Sequence, residues 1–180
     1  MKLKRRIVLA SCAAAAMLPT ASMGKPVRPV EADGTYCFQV SKPRNKTCTS
    51  APVPSDSVEA AVKKFEPTPG TVTLFVVRNR WGDTSNRVPV SIDGRPPVLT
   101  IPESLIRVLL PPGEHTVAFE WNGKRNARTI TARAGEIVFV ELEGIAWWWG
   151  ANYHWAESDS ESSKKRASAA KLIADRDQRS

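Results

Sequence analysis

Thr71-Val72-Thr73-Leu74-Phe75-Val76-Val77, residues 71–77, is the stretch that decides the fold. It is β-branched and almost entirely apolar, a composition typical of a central β-strand. Pro67, Pro69 and Gly70 precede it and separate it from the residues before. The segment therefore predicts a sheet whose middle strand begins near residue 71.

Further strand signals follow at intervals of roughly 8–12 residues, each bounded by turn residues such as Asp93-Gly94 and Asn122-Gly123. No helical pattern interrupts residues 71–143, as parallel βαβ units would require. The sequence thus predicts an all-β fold, a small antiparallel β-sandwich of about 6–7 strands. The predicted strands are residues 71–77, 88–92, 98–101, 105–110, 117–121, 125–132 and 137–142, with 98–101 as an edge strand between prolines.

The turn after Trp121 leaves two possible registers. A two-residue Asn122-Gly123 loop places Asn126 opposite Phe119, and a three-residue loop ending at Lys124 places Ala127 there instead. A slip of one residue moves every side chain to the other face of the sheet. We therefore favour the longer loop.

A short helix is predicted over residues 56–65, before the strands. Asp56 can cap it, and Glu59 lies at the capping-box spacing. Val58, Val62 and Phe65 fall at helical spacing and should form its buried face.

The segment after the strands is polar at first and helix-permissive later. Residues 157–165 are rich in serine and charge, and Ala169, Leu172 and Ile173 form a narrow apolar stripe. Residues 157–180 are thus expected to be a polar linker followed by a short, weakly docked helix or a disordered tail.

The chain begins like a bacterial secretory signal. Basic residues from Lys2 to Arg6 precede the apolar run Ile7–Leu18, and Thr20 and Ser22 stand at the small-residue positions. The run is shorter than the roughly 20 residues that span a bilayer. Residues 1–22 are therefore expected to be removed, leaving a periplasmic or secreted protein.

A lipid anchor is the alternative to a soluble product. Leu9-Ala10-Ser11-Cys12 matches the bacterial lipobox, in which the cysteine becomes the lipidated first residue. A cut before Cys12 leaves an apolar segment shorter than the usual ~7–15 residues, whereas a cut after Ser22 uses the whole run. The soluble form is favoured, and lipidation at Cys12 stays open.

Charge does not call for a nucleic-acid partner. The chain has 26 Lys and Arg against 18 Asp and Glu, but four of the basic residues lie in the signal, which leaves 22 against 18, or +4. Such a mildly basic exported protein is compatible with a weak attraction to anionic lipid or cell-wall polymer.

Two cysteines remain after the signal. In an oxidising compartment, Cys37 and Cys48 are expected to form a disulfide. It would pin the extended segment of residues 23–54, whose Pro, Lys, Arg, Ser and Thr content cannot form a core alone. The β-sandwich domain would then occupy residues 55–156.

Several motifs, taken in order, resemble one family. They are Lys64-Phe65-Glu66-Pro67-Thr68-Pro69-Gly70 leading into the first strand, Pro89-Val90-Ser91-Ile92-Asp93-Gly94, Leu110-Pro111-Pro112-Gly113-Glu114-His115-Thr116-Val117 and Ala134-Gly135-Glu136. Over about residues 60–145 the chain resembles an uncharacterised family of bacterial envelope lipoproteins, domain of unknown function 2846. The resemblance implies a small exported β-sandwich, often lipid-anchored, with no catalytic residues to transfer.

Aromatic residues near the end of the strands are the candidate site. These are Trp147, Trp148 and Trp149, followed by Tyr153 and Trp155. Three consecutive tryptophans in a strand cannot all face one core. Trp147 and Trp149 are expected to plug the end of the sandwich, with Trp148 covering the tail. The alternative is a surface that contacts sugar, membrane or a protein partner.

Other chemistry is weakly supported. No metal-binding spacing or nucleophile motif occurs, so no cofactor and no enzymatic activity are expected. His115 is expected to face solvent, and Glu141 with Glu143 is interpreted as a charged strand rim. Basic residues could form an anionic-polymer patch with Trp81 and Trp121, although an ordinary charged surface is the simpler interpretation; they are Arg78, Arg80, Arg87, Lys124, Arg125 and Arg128.

These observations predict a non-enzymatic cell-envelope protein with a structural or interaction role. Its partner would be an envelope protein or the membrane surface. A cell-wall or carbohydrate-binding module that uses the Trp cluster is the alternative function.

Overall fold

The computed structural model describes residues 30–39, 46–78 and 86–179. Of these residues, 53% lie in strands and 12% in helices, so the fold is all-β as predicted. The predicted signal segment, residues 1–22, and Cys12 within it lie outside the described residues. The elements are β1 (Cys37–Gln39), β2 (Lys46–Cys48), α1 (Asp56–Val62), β3 (Val72–Arg78), β4 (Val88–Ile92), β5 (Val98–Thr100), β6 (Ser104–Leu110), β7 (Gly113–Trp121), β8 (Lys124–Ala132), β9 (Ile137–Trp147), β10 (Gly150–Trp155), α2 (Ser160–Ala169) and β11 (Lys171–Asp177).

The strands form three sheets. A five-stranded sheet has the order β10-β9-β3-β6-β11, a four-stranded sheet has the order β5-β4-β7-β8, and β1 pairs with β2. The prediction of a wholly antiparallel fold is wrong, because β3 pairs with β9 and β6 with β11 in parallel. Parallel neighbours cannot be joined by a tight hairpin turn. β11 therefore reaches β6 only after the chain has passed through the other strands and α2, which connects β10 at one edge of the sheet to β11 at the other.

The five-stranded sheet is covered on both faces. On one face Leu74 and Val108 share a hydrophobic cluster with Val90 and Phe119 of the four-stranded sheet. On the other face its apolar side chains form a second cluster with α1 and α2; the members are Val62, Phe65, Phe75, Val77, Leu105, Ala167, Ala170 and Leu172. Burial of both faces explains why β3 is mostly apolar, with Thr73 and Arg78 as its polar residues, and it confirms the predicted central strand.

Helix α1 is shorter than predicted. Ser55, not Asp56, is its N-cap and accepts a hydrogen bond from the Val58 amide at 3.4 Å. The helix ends at Val62, and Phe65 adopts a left-handed φ of 52° that turns the chain toward β3. Val58 is 37% exposed, so the predicted apolar face is only partly correct.

The β7–β8 hairpin has the two-residue loop, so the preferred longer loop is wrong. Asn122 and Gly123 adopt φ values of 51° and 71°, the pair of positive angles that such a turn requires. Asn126 consequently pairs with Phe119, and Arg128 pairs with Val117. These polar residues are tolerated because they contact the end of β10. Arg128 donates to the Ala156 carbonyl, and the Asn126 carbonyl accepts from Trp155 Nε1.

The C-terminal segment is an integral part of the fold, which corrects the expectation of a weakly docked or disordered tail. Helix α2 ends at Ala169, and the chain continues as β11 along β6. Leu172 and Ile173 therefore point to opposite faces of a strand, where each joins a different core cluster. Two adjacent apolar residues fit the period of a strand as well as that of a helix, which is why the predicted helical stripe is wrong here.

The predicted disulfide is confirmed. Cys37 and Cys48 are paired across β1 and β2, and their Sγ atoms are 2.05 Å apart. The β1 side also contributes to the main core, since Tyr36 and Phe38 are buried in the cluster between the two large sheets.

Candidate functional site

Trp147, Trp148 and Trp149 form the tip of the β9–β10 hairpin, and we call these three residues the Trp tip. Trp147 pairs with Gly150, which leaves Trp148 and Trp149 in the turn. The exposed fractions are 58%, 92% and 74%, so the expectation that Trp147 and Trp149 plug the end of a sandwich is wrong. The strand pairing carries them to a hairpin turn, where an indole finds few neighbours from the core.

The indoles of the Trp tip contact one another. Trp147 and Trp149 stack with 5.8 Å between ring centroids and 6° between planes, and Trp148 lies 5.4 Å from Trp149. These contacts restrict the orientation of the rings. Most of the apolar surface of the three rings still faces solvent.

Tyr153 and Trp155 do not belong to this exposed surface, although they were predicted with it. Tyr153 is 8% exposed, and its hydroxyl accepts a hydrogen bond from Arg78 at 3.1 Å. Trp155 packs edge-on against Phe119 at 5.1 Å and donates from Nε1 to the Asn126 carbonyl at 3.2 Å. Both side chains hold β10 against the four-stranded sheet, and neither presents a free ring to a ligand.

A groove of about 610 Å³ lies beside the Trp tip. It joins the indoles to asparagine residues, a combination that local sequence patterns do not predict, because the residues come from three separate segments. Its lining residues are Asn86, Trp121, Asn122, Trp147, Trp148, Trp149, Gly150, Ala151 and Asn152. The Asn122-Gly123 signal predicted a hairpin turn there, but no local signal places that turn beside the tryptophans.

Hydrogen bonds of Trp121 and Arg78 hold the residues around the groove in place. Trp121 Nε1 donates to the Ala151 carbonyl at 2.8 Å, so the β7–β8 and β9–β10 hairpins are tied together near their turns. Arg78 is fully buried and donates to the carbonyls of Asn86 and Thr100 at 2.9 and 2.7 Å. Its guanidinium also lies over the Tyr153 ring, 5.0 Å from the centroid. The geometry favours a preformed site.

The basic residues suggested as a patch are spread over different environments. Arg78 is buried, and Arg128 donates to the Ala156 carbonyl at 3.1 Å. Lys124 and Arg125 are exposed beside the Asn122-Gly123 turn. Arg87 is exposed and donates from Nε to the Cys48 carbonyl at 3.0 Å. Arg80 and Trp81 lie outside the described residues.

Glu141 and Glu143 lie on the same side of β9 but have different partners. Glu141 is buried, with Oε1 2.5 Å from Arg166 Nε and Oε2 accepting from the Ser158 hydroxyl at 2.7 Å. Glu143 is partly exposed and lies 3.5 Å from Nε2 of the half-exposed His154. The pair is thus not a solvated strand rim, since one of the two carboxylates is an internal ion-pair partner.

His115 is buried, at 6% exposure, and the expectation that it faces solvent is wrong. Its Nδ1 lies 2.7 Å from Asp93 Oδ2, and its Nε2 lies 2.8 Å from the Pro111 carbonyl oxygen. Asp93 also accepts from the Thr116 amide at 2.8 Å. The imidazole therefore joins the Asp93-Gly94 turn after β4 to Pro111, which lies just before β7, and both nitrogens are engaged there.

Within the described residues, no group of three or more His, Cys, Asp or Glu side chains could hold a metal ion. Neither α1 nor α2 is long and apolar enough to cross a bilayer.

Comparison of the sequence with protein-family models gives no match, and comparison with curated proteins gives none either. The resemblance to the envelope lipoprotein family stays a prediction.

Proposed function

We propose that this chain is a non-enzymatic, exported cell-envelope protein with an interaction role, and that the Trp tip is its contact surface. The observation that supports this most strongly is the exposure of three adjacent tryptophans on one hairpin turn. Exposed apolar surface of this kind gains nothing for folding and is typical of sites that bind a partner. Burial of these rings in a partner would recover the hydrophobic free energy that the fold leaves unused.

Three further features support an envelope location for a β-sandwich frame. They are the secretory signal pattern of residues 1–22, the Cys37–Cys48 disulfide and the resemblance to the lipoprotein family. Export as a soluble protein and anchoring through a lipid on Cys12 both fit this proposal, because the Trp tip lies in the part of the chain that the two forms share.

Sedimentation with cell-envelope fragments tests the proposal. The chain from Met23 onward keeps every described residue and lacks Cys12, so lipidation cannot cause binding. We expect it to sediment with fragments that contain membrane and wall, and we expect the triple variant Trp147→Ala, Trp148→Ala, Trp149→Ala to stay in the supernatant. Val58→Ala, which trims an exposed apolar side chain on α1, is the control and should bind normally. Equal sedimentation of the triple variant would refute the Trp tip as the contact surface.

A cell-wall polysaccharide in the groove is the second candidate. Three asparagines line it beside the indoles, Asn86, Asn122 and Asn152. Asn86 already donates from Nδ2 to the Tyr153 hydroxyl at 3.1 Å. Amides that hydrogen-bond hydroxyl groups next to an aromatic face are a suitable arrangement for a sugar.

Asn152 provides the test of this second candidate. It is exposed in the groove, whereas Asn126 is exposed on β8 outside it. In a pull-down on peptidoglycan, Asn152→Ala should weaken binding and Asn126→Ala should not. If wild-type protein is not retained, or if both variants bind equally, the polysaccharide function is excluded.

A further inference from the structure

We infer that the Trp tip inserts into the interface of a lipid bilayer that carries anionic headgroups. The inference rests on the proposed interaction role and specifies its partner. It follows from three properties of this end of the molecule: the amphipathic chemistry of the tip, the charge of the neighbouring hairpin and the rigid connection between the two.

Indole rings suit the boundary between lipid and water. Each presents a large apolar surface together with one N–H donor, and tryptophan is enriched at membrane interfaces for this reason. The Trp tip offers three such rings on consecutive residues, and Trp148 is 92% exposed. The stack of Trp147 on Trp149, with Trp148 beside it, gathers the three rings into one apolar knob.

The adjacent β7–β8 hairpin supplies positive charge. Lys124 and Arg125 are exposed directly after the Asn122-Gly123 turn, and Asn122 lines the same groove as the Trp tip. Glu120 is the acidic residue paired across the hairpin with Arg125, so the turn keeps a net positive charge. Basic side chains within about 10 Å of a surface are attracted to anionic lipid, and salt weakens that attraction.

The two hairpins form one rigid edge. The hydrogen bond from Trp121 to the Ala151 carbonyl joins them, and Tyr153 packs on Trp121 at 4.7 Å between ring centroids. The aromatic knob and the basic turn can therefore contact one surface at the same time without ordering a flexible loop. Less conformational entropy is lost on binding when the contact groups are already held in place.

Vesicle flotation with the chain from Met23 onward tests the inference. The probes are phosphatidylcholine vesicles and phosphatidylcholine vesicles that also contain phosphatidylglycerol. We expect stronger flotation with the anionic vesicles, together with a shift of tryptophan emission to shorter wavelength. Trp148→Ala should weaken binding roughly tenfold, because loss of one buried large apolar side chain is worth about that factor.

Charge variants separate the two contributions. Lys124→Gln with Arg125→Gln should abolish the preference for anionic vesicles and leave weak binding to phosphatidylcholine. Lys164→Gln with Lys165→Gln removes the same charge from α2, outside the groove, and should leave the preference unchanged. Equal effects of the two double variants would mean that only net charge matters, which contradicts the inference.

The outcomes also distinguish this inference from the proposed function. Binding to envelope fragments through the Trp tip without binding to either vesicle would overturn the lipid partner and keep the interaction role. Retention on peptidoglycan that requires Asn152 would replace lipid with sugar. Failure to bind envelope fragments, vesicles and peptidoglycan would overturn both.

Discussion

Glu59 and Lys171 connect α1 to the start of β11 inside the helix-covered face of the sheet. The Lys171 side chain is 3% exposed, and its Nζ forms an ion pair with Glu59 and lies 3.1 Å from Asp56 Oδ1. Glu59 also pairs with Lys63 at 2.6 Å and accepts from the Leu172 amide at 3.3 Å. A buried charge in this position depends on its partner, since removal of one leaves the other uncompensated.

The ionisation of this pair follows from its surroundings. Burial raises the pKa of Glu59, but the hydrogen bonds from Lys171 and Lys63 outweigh it, and the pKa ends below the ordinary value of 4.5. Burial lowers the pKa of Lys171, and its bonds to Glu59 and Asp56 bring that pKa above 10.5. Both groups are therefore charged at neutral pH.

We predict that Glu59→Gln lowers the free energy of unfolding by about 3 kcal/mol at neutral pH, because Lys171 loses its main buried partner. A carboxyl with a lowered folded pKa stabilises the protein above its ordinary pKa, and this stability is lost as pH falls through the folded value. The wild type should lose stability below pH 4.5 more steeply than the variant. Denaturant unfolding across that range measures the difference. The exposed Glu66→Gln is the control, and parallel pH profiles for wild type and Glu59→Gln would contradict the prediction.

At the scale of elements, the strands were predictable where the pattern of apolar residues fits only one degree of burial. β3 is apolar on both faces because two layers cover it, and β4 alternates because its outer face is less buried. The β7–β8 register was not predictable from the pattern of β8 alone. Asn126 and Arg128 lie opposite core residues of β7. They are accommodated there because Arg128 donates to the Ala156 carbonyl and Trp155 donates to the Asn126 carbonyl.

Helix α2 shows a second limit of local sequence reasoning. It carries little apolar surface, and an ion pair across the helix–sheet boundary holds it in place. Arg166 of α2 contacts the buried Glu141 of β9, and Ser163 lies 3.0 Å from Ser158 beside the same carboxylate. A partner so distant in sequence cannot be recognised from helical periodicity, so the tail looked weaker than it is.

We predict that Glu141→Gln destabilises the protein by about 2 kcal/mol, since the charge-assisted bonds from Arg166 and Ser158 lose their carboxylate. Hydrogen exchange should become faster in α2 while exchange in β7 changes little. Glu143→Gln is the matched control on the same strand, two residues away and 29% exposed, and it should cost under about 1 kcal/mol. An equal cost for the two substitutions would show that Glu141 does not hold the helix.

At the scale of the whole molecule, position along the β9–β10 hairpin decides which of the predicted site residues are exposed and which are packed. Trp147, Trp148 and Trp149 lie in and beside the turn and are exposed, whereas Tyr153 and Trp155 lie farther along β10 and are packed. The sequence identified the aromatic cluster, because consecutive tryptophans cannot all face one core. It could not separate exposed members from packed ones, since that depends on where the four-stranded sheet meets β10.

The disulfide supports the whole fold as well as its own loop. Tyr36 and Phe38 flank Cys37 and are buried in the cluster between the large sheets. In addition, the Arg87 side chain bonds the Cys48 carbonyl, which ties β2 to the start of β4. Release of the β1–β2 segment would therefore expose part of the main core.

We predict that Cys37→Ala with Cys48→Ala lowers the free energy of unfolding by about 3 kcal/mol, the entropy that a cross-link of this length removes from the unfolded chain. Because Tyr36 and Phe38 belong to the main core, the variant should melt in one transition at a lower Tm, without a separate early step. A reducing agent should shift the wild type to the same Tm and leave the variant unchanged. Melting followed by circular dichroism and tryptophan fluorescence measures both effects. A separate early transition by circular dichroism, with the main Tm preserved, would show instead that β1 and β2 fold independently of the large sheets.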